Sequence, residues 1–259
     1  MLKKRLPDFK IMDNAESYIS LNNKENGIFL IHGYTGSPAE MVPFAKKFEN
    51  KGFSVYCPRL AGHGTNIKDF VNTGFMDWYQ SALIQYLEFR KRVKNTYIIG
   101  LSMGGQIAAY LDAVVGCEKI ALFSTPYDIV DPRMKYAKYI WPIMPKIKKT
   151  ETKPNVFDEN GRKLMVNYDN EKYNFVRPAG QLYRSFKLFH KFIKKMRAPL
   201  LIVQSELDPV VNFKSPQKIF NKSKSISKQL NYLKKSSHVI TLDYEVDLLF
   251  EMTFKFFFQ

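Results

Sequence analysis

Cysteine is scarce in this chain. Cys57 and Cys117 are the only two among 259 residues. Neither belongs to a CxxC or Cys/His spacing, so a zinc site or a disulfide framework is not expected. Both sit in apolar, strand-like surroundings and read as small buried hydrophobes. Long apolar runs are also missing. No stretch approaches the roughly 18 residues of a membrane-spanning helix. Lys3, Lys4 and Arg5 resemble the start of a signal peptide, but Pro7, Asp8 and Lys10 interrupt the apolar run that would have to follow. A cytoplasmic, soluble protein is therefore expected. Internal repeats and low-complexity tracts are absent.

Acidic residues are few beside basic ones, at 24 against 40, for a net charge of +16. Such an excess suits nucleic acid, an anionic membrane surface, or a plainly solvated lysine-rich exterior. The basic residues are dispersed and accompany no zinc-finger, RNP or KH signature, so nucleic-acid binding is not expected. Solvated surface is the simplest reading, with peripheral contact to an anionic membrane surface as its alternative. Hydrophobic residues make up 45% of the chain, enough for one large core. Nothing here sets an oligomeric state.

Up to about Tyr127, short apolar runs alternate with helical patterns. Strands are predicted at Gly27 to His32, Phe53 to Cys57, Thr96 to Leu101 and Lys119 to Phe123. Helices are predicted at Pro38 to Lys51, Met76 to Val93 and Gly104 to Val115. Near-continuous apolar strands between helices predict a parallel sheet covered on both faces. From Asp128 to Ala179 the alternation fails. Lysines, tyrosines, asparagines and prolines such as Pro132, Pro142, Pro145 and Pro154 point to an insertion of short helices and loops. The pattern then resumes with a helix over Gln181 to Met196, a strand over Pro199 to Gln204 and a helix over Pro216 to Asn221. A strand over Gln229 to Leu233 and a closing helix over Tyr244 to Phe258 follow. The expected organisation is an α/β core from residues 1–127 and 180–259, with a lid at 128–179.

The informative segment is Tyr97-Ile98-Ile99-Gly100-Leu101-Ser102-Met103-Gly104-Gly105. It places GxSxG between a strand and a helix, the setting of a nucleophile elbow. Gly100 and Gly104 remove side chains that would collide at so sharp a turn. Gly105, Ala108 and Ala109 let the helix approach the sheet closely. Ser102 is the candidate nucleophile, and a serine needs a base to take its proton. In the nucleophile-elbow fold an acid and then a histidine follow the serine in the chain. His190 falls inside a predicted helix. His238, in Ser236-Ser237-His238-Val239 just after a strand, is the expected base. The acid should end the preceding strand: Asp208, before Pro209, is preferred, with Glu206 as the fallback. Its task is to hold the imidazole tautomer and stabilise the imidazolium. The backbone N–H groups of Tyr34, after the strand Phe29 to Ile31, and of Met103 are expected to form the oxyanion hole. His32 reads as an orienting residue. Gly62-His63-Gly64 reads as a structural turn, with His63 lining the pocket as the lesser alternative. Tyr136, Tyr139, Ile140, Trp141, Ile143 and Met144 lie in the stretch Met134 to Met144. They either fill a small core or form an apolar acyl tunnel above Ser102, Ile140 and Trp141 being the candidate substrate contacts. Lys135, Lys138, Lys146, Lys148 and Lys149 flank them.

Taken together, several stretches resemble bacterial monoacylglycerol lipases and related small carboxylesterases. They are His32-Gly33-Tyr34-Thr35-Gly36-Ser37-Pro38, Pro58-Arg59-Leu60-Ala61-Gly62-His63-Gly64-Thr65, Asp77-Trp78, Gly100 to Gly105, and His238-Val239-Ile240-Thr241-Leu242-Asp243. The similarity spans roughly residues 27 to 125 and 198 to 258. It implies an α/β-hydrolase fold with a small lid, acting on a small-molecule acyl ester without cofactor or metal. The expected activity is hydrolysis of short- to medium-chain acyl esters, monoacylglycerols among them, through an acyl-serine. A non-catalytic hydrolase-fold binding protein and an acyltransferase are the alternatives. Two features depart from the family. Tyr34 stands where a phenylalanine is usual. Near Pro178, where the family carries a lid glutamate, this chain has Asn174 and Phe175, with Glu171 further upstream.

Overall fold

The computed structural model describes residues 9–128, 135–148, 153–166 and 173–259. Lys3, Lys4, Arg5, Pro7 and Asp8, and Pro132, Met134, Lys149 and Glu171 of the insertion, lie outside the described residues. The first half contains β1 (Tyr18–Ser20), β2 (Asn26–Ile31), α1 (Val42–Glu49), β3 (Ser54–Cys57), α2 (Ile67–Asn72), α3 (Phe75–Arg90), β4 (Asn95–Leu101), α4 (Met103–Val114) and β5 (Lys119–Phe123). β5 is followed by α5 (Ala137–Ile140), β6 (Lys146–Lys148), α6 (Glu159–Leu164) and β7 (Tyr173–Phe175). Then come α7 (Val176–Phe192), β8 (Leu200–Ser205), α8 (Ser215–Lys222), β9 (Lys228–Leu233) and α9 (Val246–Phe258).

Seven strands form one sheet in the order β1-β3-β2-β4-β5-β8-β9. All neighbours are parallel except β1, which pairs antiparallel with β3. Successive side chains of a strand point to opposite faces, and both faces here are apolar. Phe29 and Ile31 of β2, with Ile98, Ile120, Leu122 and Ile202, meet Trp78, Tyr86 and Phe89 of α3, Ile107 of α4 and Phe189 of α7. Ile28 and Leu30, with Ile99, Phe123 and Val203, meet Phe44 and Phe48 of α1 and Leu249, Phe250 and Phe257 of α9. Each fully buried large side chain of this kind stabilises the fold by about 1.5–3 kcal/mol. The closing helix packs aromatic on aromatic, as in the edge-to-face pair Phe48–Phe250 with ring centroids 4.9 Å apart.

The structure departs from the sequence reading in several places, including the unpredicted β1 and α2. The predicted helix Pro38 to Lys51 is a short 3₁₀ turn at Pro38–Glu40 followed by α1. Pro43 sits in the first turn of α1, where its missing N–H costs no bond. The helix expected from Gln181 begins at Val176, because Pro178 occupies the first turn of α7 instead of breaking it. The segment 153–166 is tied to the core: Val156 is fully buried, and a Cβ at Gly161 would overlap the Leu242 carbonyl. β6 and β7 pair antiparallel in a separate two-stranded sheet.

Candidate active site

The loops at the carboxyl ends of β2, β4, β8 and β9 carry the site. β4 runs straight into α4 with Ser102 between them, at φ 55° and ψ −118°. A non-glycine residue at positive φ is uncommon and marks a backbone held by its surroundings. Three packing constraints hold it here. A Cβ at Gly100 would overlap the Gly104 carbonyl, and one at Gly104 would overlap the Ile31 and His32 carbonyls. A Cβ at Gly105 would overlap the Thr125 side chain. Any of these would push α4 off the sheet. The Ser102 N–H donates to the Phe123 carbonyl at 2.8 Å, which ties the turn to β5. Met103 opens α4, so its N–H is one of the first-turn donors without an intrahelical acceptor. Negative charge beside it is further favoured by the helix dipole.

Asp208 and His238 meet: Asp208 Oδ2 lies 2.8 Å from His238 Nδ1, and both side chains are nearly excluded from solvent. The other bonds of Asp208 fix its rotamer. Oδ2 also accepts from Gln204 Nε2 at 2.7 Å, and Oδ1 accepts from the N–H groups of Val210 and Val211. Burial alone would raise the Asp208 carboxyl. The His238 charge, the bond to it and the two amides outweigh burial and hold it below its ordinary value. Burial likewise disfavours charged His238, but Asp208, and then Glu40, raise it above the ordinary imidazole value. Glu206, the fallback acid, is exposed and is engaged only through its backbone to Leu233. Ser102 itself is 8% exposed. Among the described residues its hydroxyl forms no hydrogen bond. Catalytic bonds in unliganded sites are often long and shorten when substrate arrives.

The His238 loop is braced by two acidic residues that follow it. Asp243, 1% exposed, accepts from the N–H groups of Ser237, Tyr244, Phe157 and Asp158. Glu245 accepts from the N–H groups of Lys234, Lys235 and Ser236 and from the Ser236 hydroxyl. From the other side, Ser237 Oγ donates to the Pro154 carbonyl and the Val239 N–H to the Asn155 carbonyl. Residues 154–158 therefore supply one wall of the histidine loop. The one sequence signal for this brace is Asp243, the acidic residue that closes the stretch Val239-Ile240-Thr241-Leu242.

At the end of β2 the chain turns back at 33–36, closed by the Gly36 N–H to the Gly33 carbonyl. Tyr34 packs its ring on Phe70 and Trp78, with centroids 5.5 and 6.0 Å away. His32 Nδ1 donates to the Gly33 carbonyl at 2.9 Å, while Nε2 accepts from the Leu60 N–H at 3.2 Å. That pattern needs the neutral ring. Burial, aided by the Arg59 charge and opposed by the Gly33 bond, lowers His32 to about 4. His63 is fully buried, caged by His32, Phe70 and Trp78, and belongs to the interior. Asp77 accepts from the Gly74 N–H at the start of α3, and Trp78 Nε1 donates to Thr73. The Asp77-Trp78 pair thus anchors the helix that walls this cage.

One participant was not anticipated. Glu40, 4% exposed, accepts the Gly33 N–H at Oε2, 3.0 Å away. Its signal in the sequence is a lone carboxylate among Pro38, Ala39, Met41 and Val42. His190 lies away from this cluster on α7, stacked on Tyr127 with its Nε2 donating to the Tyr127 carbonyl. Ile140 and Trp141 end α5, which packs on α7, and are 37% and 38% exposed. The Arg177 guanidinium lies over the Trp141 ring. No hydrogen bond or ring contact joins them to Ser102 or His238.

Solved structures that match this fold are numerous. The chain is 28% identical, over 262 aligned positions covering 96% of each protein, to a thermostable monoacylglycerol lipase of Bacillus sp. (strain H-257). It is 25% identical to a carboxylesterase of Bacillus subtilis (strain 168), over 90% of this chain and 92% of that one. Among solved structures, one described with the metagenome-derived lipolytic enzymes LipS and LipT superposes with a TM-score of 0.87 at 24% identity, covering 96% of this chain and 99% of the other. The monoacylglycerol lipase of Paleococcus ferrophilus does so at 0.72 and 14% identity, covering 93% and 98%. The family model described as serine aminopeptidase, S33 matches residues 22–245, so the chain belongs to that family of serine hydrolases and has the α/β-hydrolase fold.

Proposed function

We propose that this hydrolase cleaves short- to medium-chain acyl esters, monoacylglycerols among them, through an acyl-serine on Ser102. The carrying observation is the strained Ser102 turn at the head of α4 beside the buried Asp208–His238 pair. In this reading His238 Nε2 takes the Ser102 proton as Oγ attacks the ester carbonyl. The carbonyl electron pair moves onto its oxygen, which the Tyr34 and Met103 N–H groups receive. Asp208 keeps Nδ1 protonated and stabilises the imidazolium. His238 then returns the proton to the departing alcohol, and water repeats the sequence on the acyl-enzyme.

The family description raises peptide cleavage as a second reading. An aminopeptidase needs a group to hold the substrate ammonium. The buried carboxylates here are already engaged, Asp208 and Asp243 by four donors each and Glu40 by Gly33. That favours esters. Residues 128–179 are read as the lid. Their exposed apolar side chains among lysines suit contact with an anionic lipid surface. Two free cysteines agree with a cytoplasmic setting, and no helix among the described residues is long and apolar enough to cross a membrane.

The test is a fluorophosphonate probe followed by peptide mapping, with p-nitrophenyl esters of two to sixteen carbons, monoacylglycerols and aminoacyl p-nitroanilides as substrates. Labelling confined to Ser102, with ester turnover far above anilide turnover, is expected. Turnover of the anilides alone would overturn the ester reading.

A further inference from the structure

We propose that Glu40 is a positioning residue of the reaction, holding the Gly33–Tyr34 peptide in place for the oxyanion and tying that turn to the His238 loop. The inference rests on the roles given above to Ser102, His238 and Tyr34.

The geometry comes first. Glu40 ends the 3₁₀ turn Pro38–Glu40, whose start is capped by Ser37. This turn folds the carboxyl back under the loop 33–36. Oε2 accepts the Gly33 N–H, and the peptide that follows Gly33 carries the Tyr34 N–H. Gly33 is the layer between the carboxyl and the nucleophile. A Cβ there would lie 3.4 Å from Glu40 Oε2 and 3.4 Å from Ser102 Cβ. At Gly36 a Cβ would overlap the carboxyl, though the backbone φ there is not in the left-handed region. Gly36 is thus needed for the space it leaves to Glu40. The Glu40 carbonyl, in turn, accepts from Thr241 Oγ1 at 2.6 Å, three residues beyond His238. One residue therefore joins the oxyanion turn to the histidine loop.

Burying a carboxylate is costly unless its charge is used. Burial lifts Glu40 to about 7, with the Gly33 N–H and His238 pulling the other way. The acidic groups facing His238 are Asp208, from the turn after β8, and Glu40. Asp243, on the histidine loop itself, is turned to its four amides. Arg59 bears on His32 instead. As His238 gains the Ser102 proton, its positive charge favours ionised Glu40, which steadies the imidazolium. Glu40 gives and takes no proton in the step.

The experiment uses Glu40→Gln, Glu40→Ala, Gly36→Ala and the Gly36→Ala/Glu40→Ala double variant, with p-nitrophenyl butyrate kinetics from about pH 5 to 9 and fluorophosphonate labelling rates. Gln keeps an acceptor for Gly33 but loses the charge. Its acid limb in kcat/KM should move to lower pH, since His238 loses a neighbouring negative charge. Glu40→Ala should lower kcat about tenfold or more with KM little changed, as for a misdirected oxyanion donor. Gly36→Ala should lower kcat in the wild-type background and cost little when Glu40 is already Ala, a coupling that distant sites do not show. If Glu40→Ala fails to fold, the acid limb of Glu40→Gln carries the test. An unmoved acid limb in Glu40→Gln, or an undiminished effect of Gly36→Ala in the Glu40→Ala background, would overturn the proposal and leave Glu40 as packing. Wild-type protein that escapes labelling at Ser102 would instead remove the reading on which it rests.

Discussion

The loops around His238 and the segment 135–148 of the insertion are built in opposite ways. Around His238 the polar groups are paired: Asp208 and Asp243, both buried, and the half-buried Glu245 between them hold amides from 157, 158, 210, 211, 234 to 237 and 244. In 135–148 the apolar groups are exposed: Tyr139 is 66% exposed, Ile143 90% and Met144 50%. A buried, fully bonded polar network resists displacement, because breaking it strands charges and amides without water. An exposed apolar stretch gains by being covered. The first arrangement suits groups that must stay aligned through proton transfers, and the second suits a surface that meets something apolar.

The largest expected effect comes from breaking the aligned side. Ser102→Ala and His238→Ala should each lower ester turnover by roughly 10⁴-fold or more while leaving the fold intact, and Asp208→Asn should approach the same loss. Steady-state p-nitrophenyl butyrate hydrolysis beside circular dichroism measures both. Near-wild-type turnover by folded Ser102→Ala would sink the triad.

Next is the brace. Asp243→Ala would leave four backbone donors of two segments without their acceptor. An unsatisfied buried donor costs roughly 1–3 kcal/mol. Some of these amides will find water, so a loss of at least about 2 kcal/mol is expected, read from urea unfolding midpoints. Activity should fall with it, because Ser237 and the 157–158 turn no longer grip the His238 loop. A variant as stable as wild type would show that the brace is decorative.

Much of the aligned side was legible in the sequence. Ser102 and His238 are announced by glycine spacing, strand-to-helix context and chain order, all local patterns. The choice of Asp208 over Glu206 follows from the turn before Pro209, and the pairing with His238 agrees with it. Glu40, Asp243 and the wall at 154–158 were not legible. Their partners lie 7 residues away for Glu40 and 85 and 86 for Asp243, and no periodicity encodes which amide a carboxylate will find. The 3.6-residue pattern located α3, α4 and α9, but the prolines misled. Pro178 falls within the predicted insertion, although a first-turn proline is compatible with a helix. β1 is three residues long and half exposed, too short to show alternation.

A smaller effect is expected from pH. His238 must be neutral to accept the serine proton. Asp208 and Glu40 raise it above its ordinary value of about 6.5. Activity should therefore be lost on acidification with a midpoint above that value. His190→Ala should keep both the rate and the midpoint, since His190 contacts Tyr127 and Asp128 instead. A midpoint well below 6.5, or a His190 variant that shifts it, would reverse the choice of base.

The smallest effect on the protein itself is expected from the exposed stretch, and there the contrast is sharpest. Ile143 is nearly bare, so Ile143→Ser should change stability by no more than about 0.5 kcal/mol. Burial in a lipid interface is worth about 1.5–3 kcal/mol for a fully covered side chain. An exposed lysine near an anionic surface adds about 1 kcal/mol, and Lys135, Lys146 and Lys148 are exposed beside the apolar groups. The same substitution should thus weaken sedimentation with phosphatidylserine-containing vesicles severalfold while sparing hydrolysis of soluble esters. Equal binding to purely zwitterionic vesicles would return the lysines to solvated surface. Equal binding by Ile143→Ser would remove the apolar contact. Ile140→Ala and Trp141→Ala probe the inner side of the same segment. If these side chains line the acyl site, catalytic efficiency across esters of two to sixteen carbons should lose its rise with chain length, at about 0.8 kcal/mol for each methylene no longer covered. A profile unchanged by both would confine α5 to packing on α7, where the Arg177 guanidinium already covers the Trp141 ring.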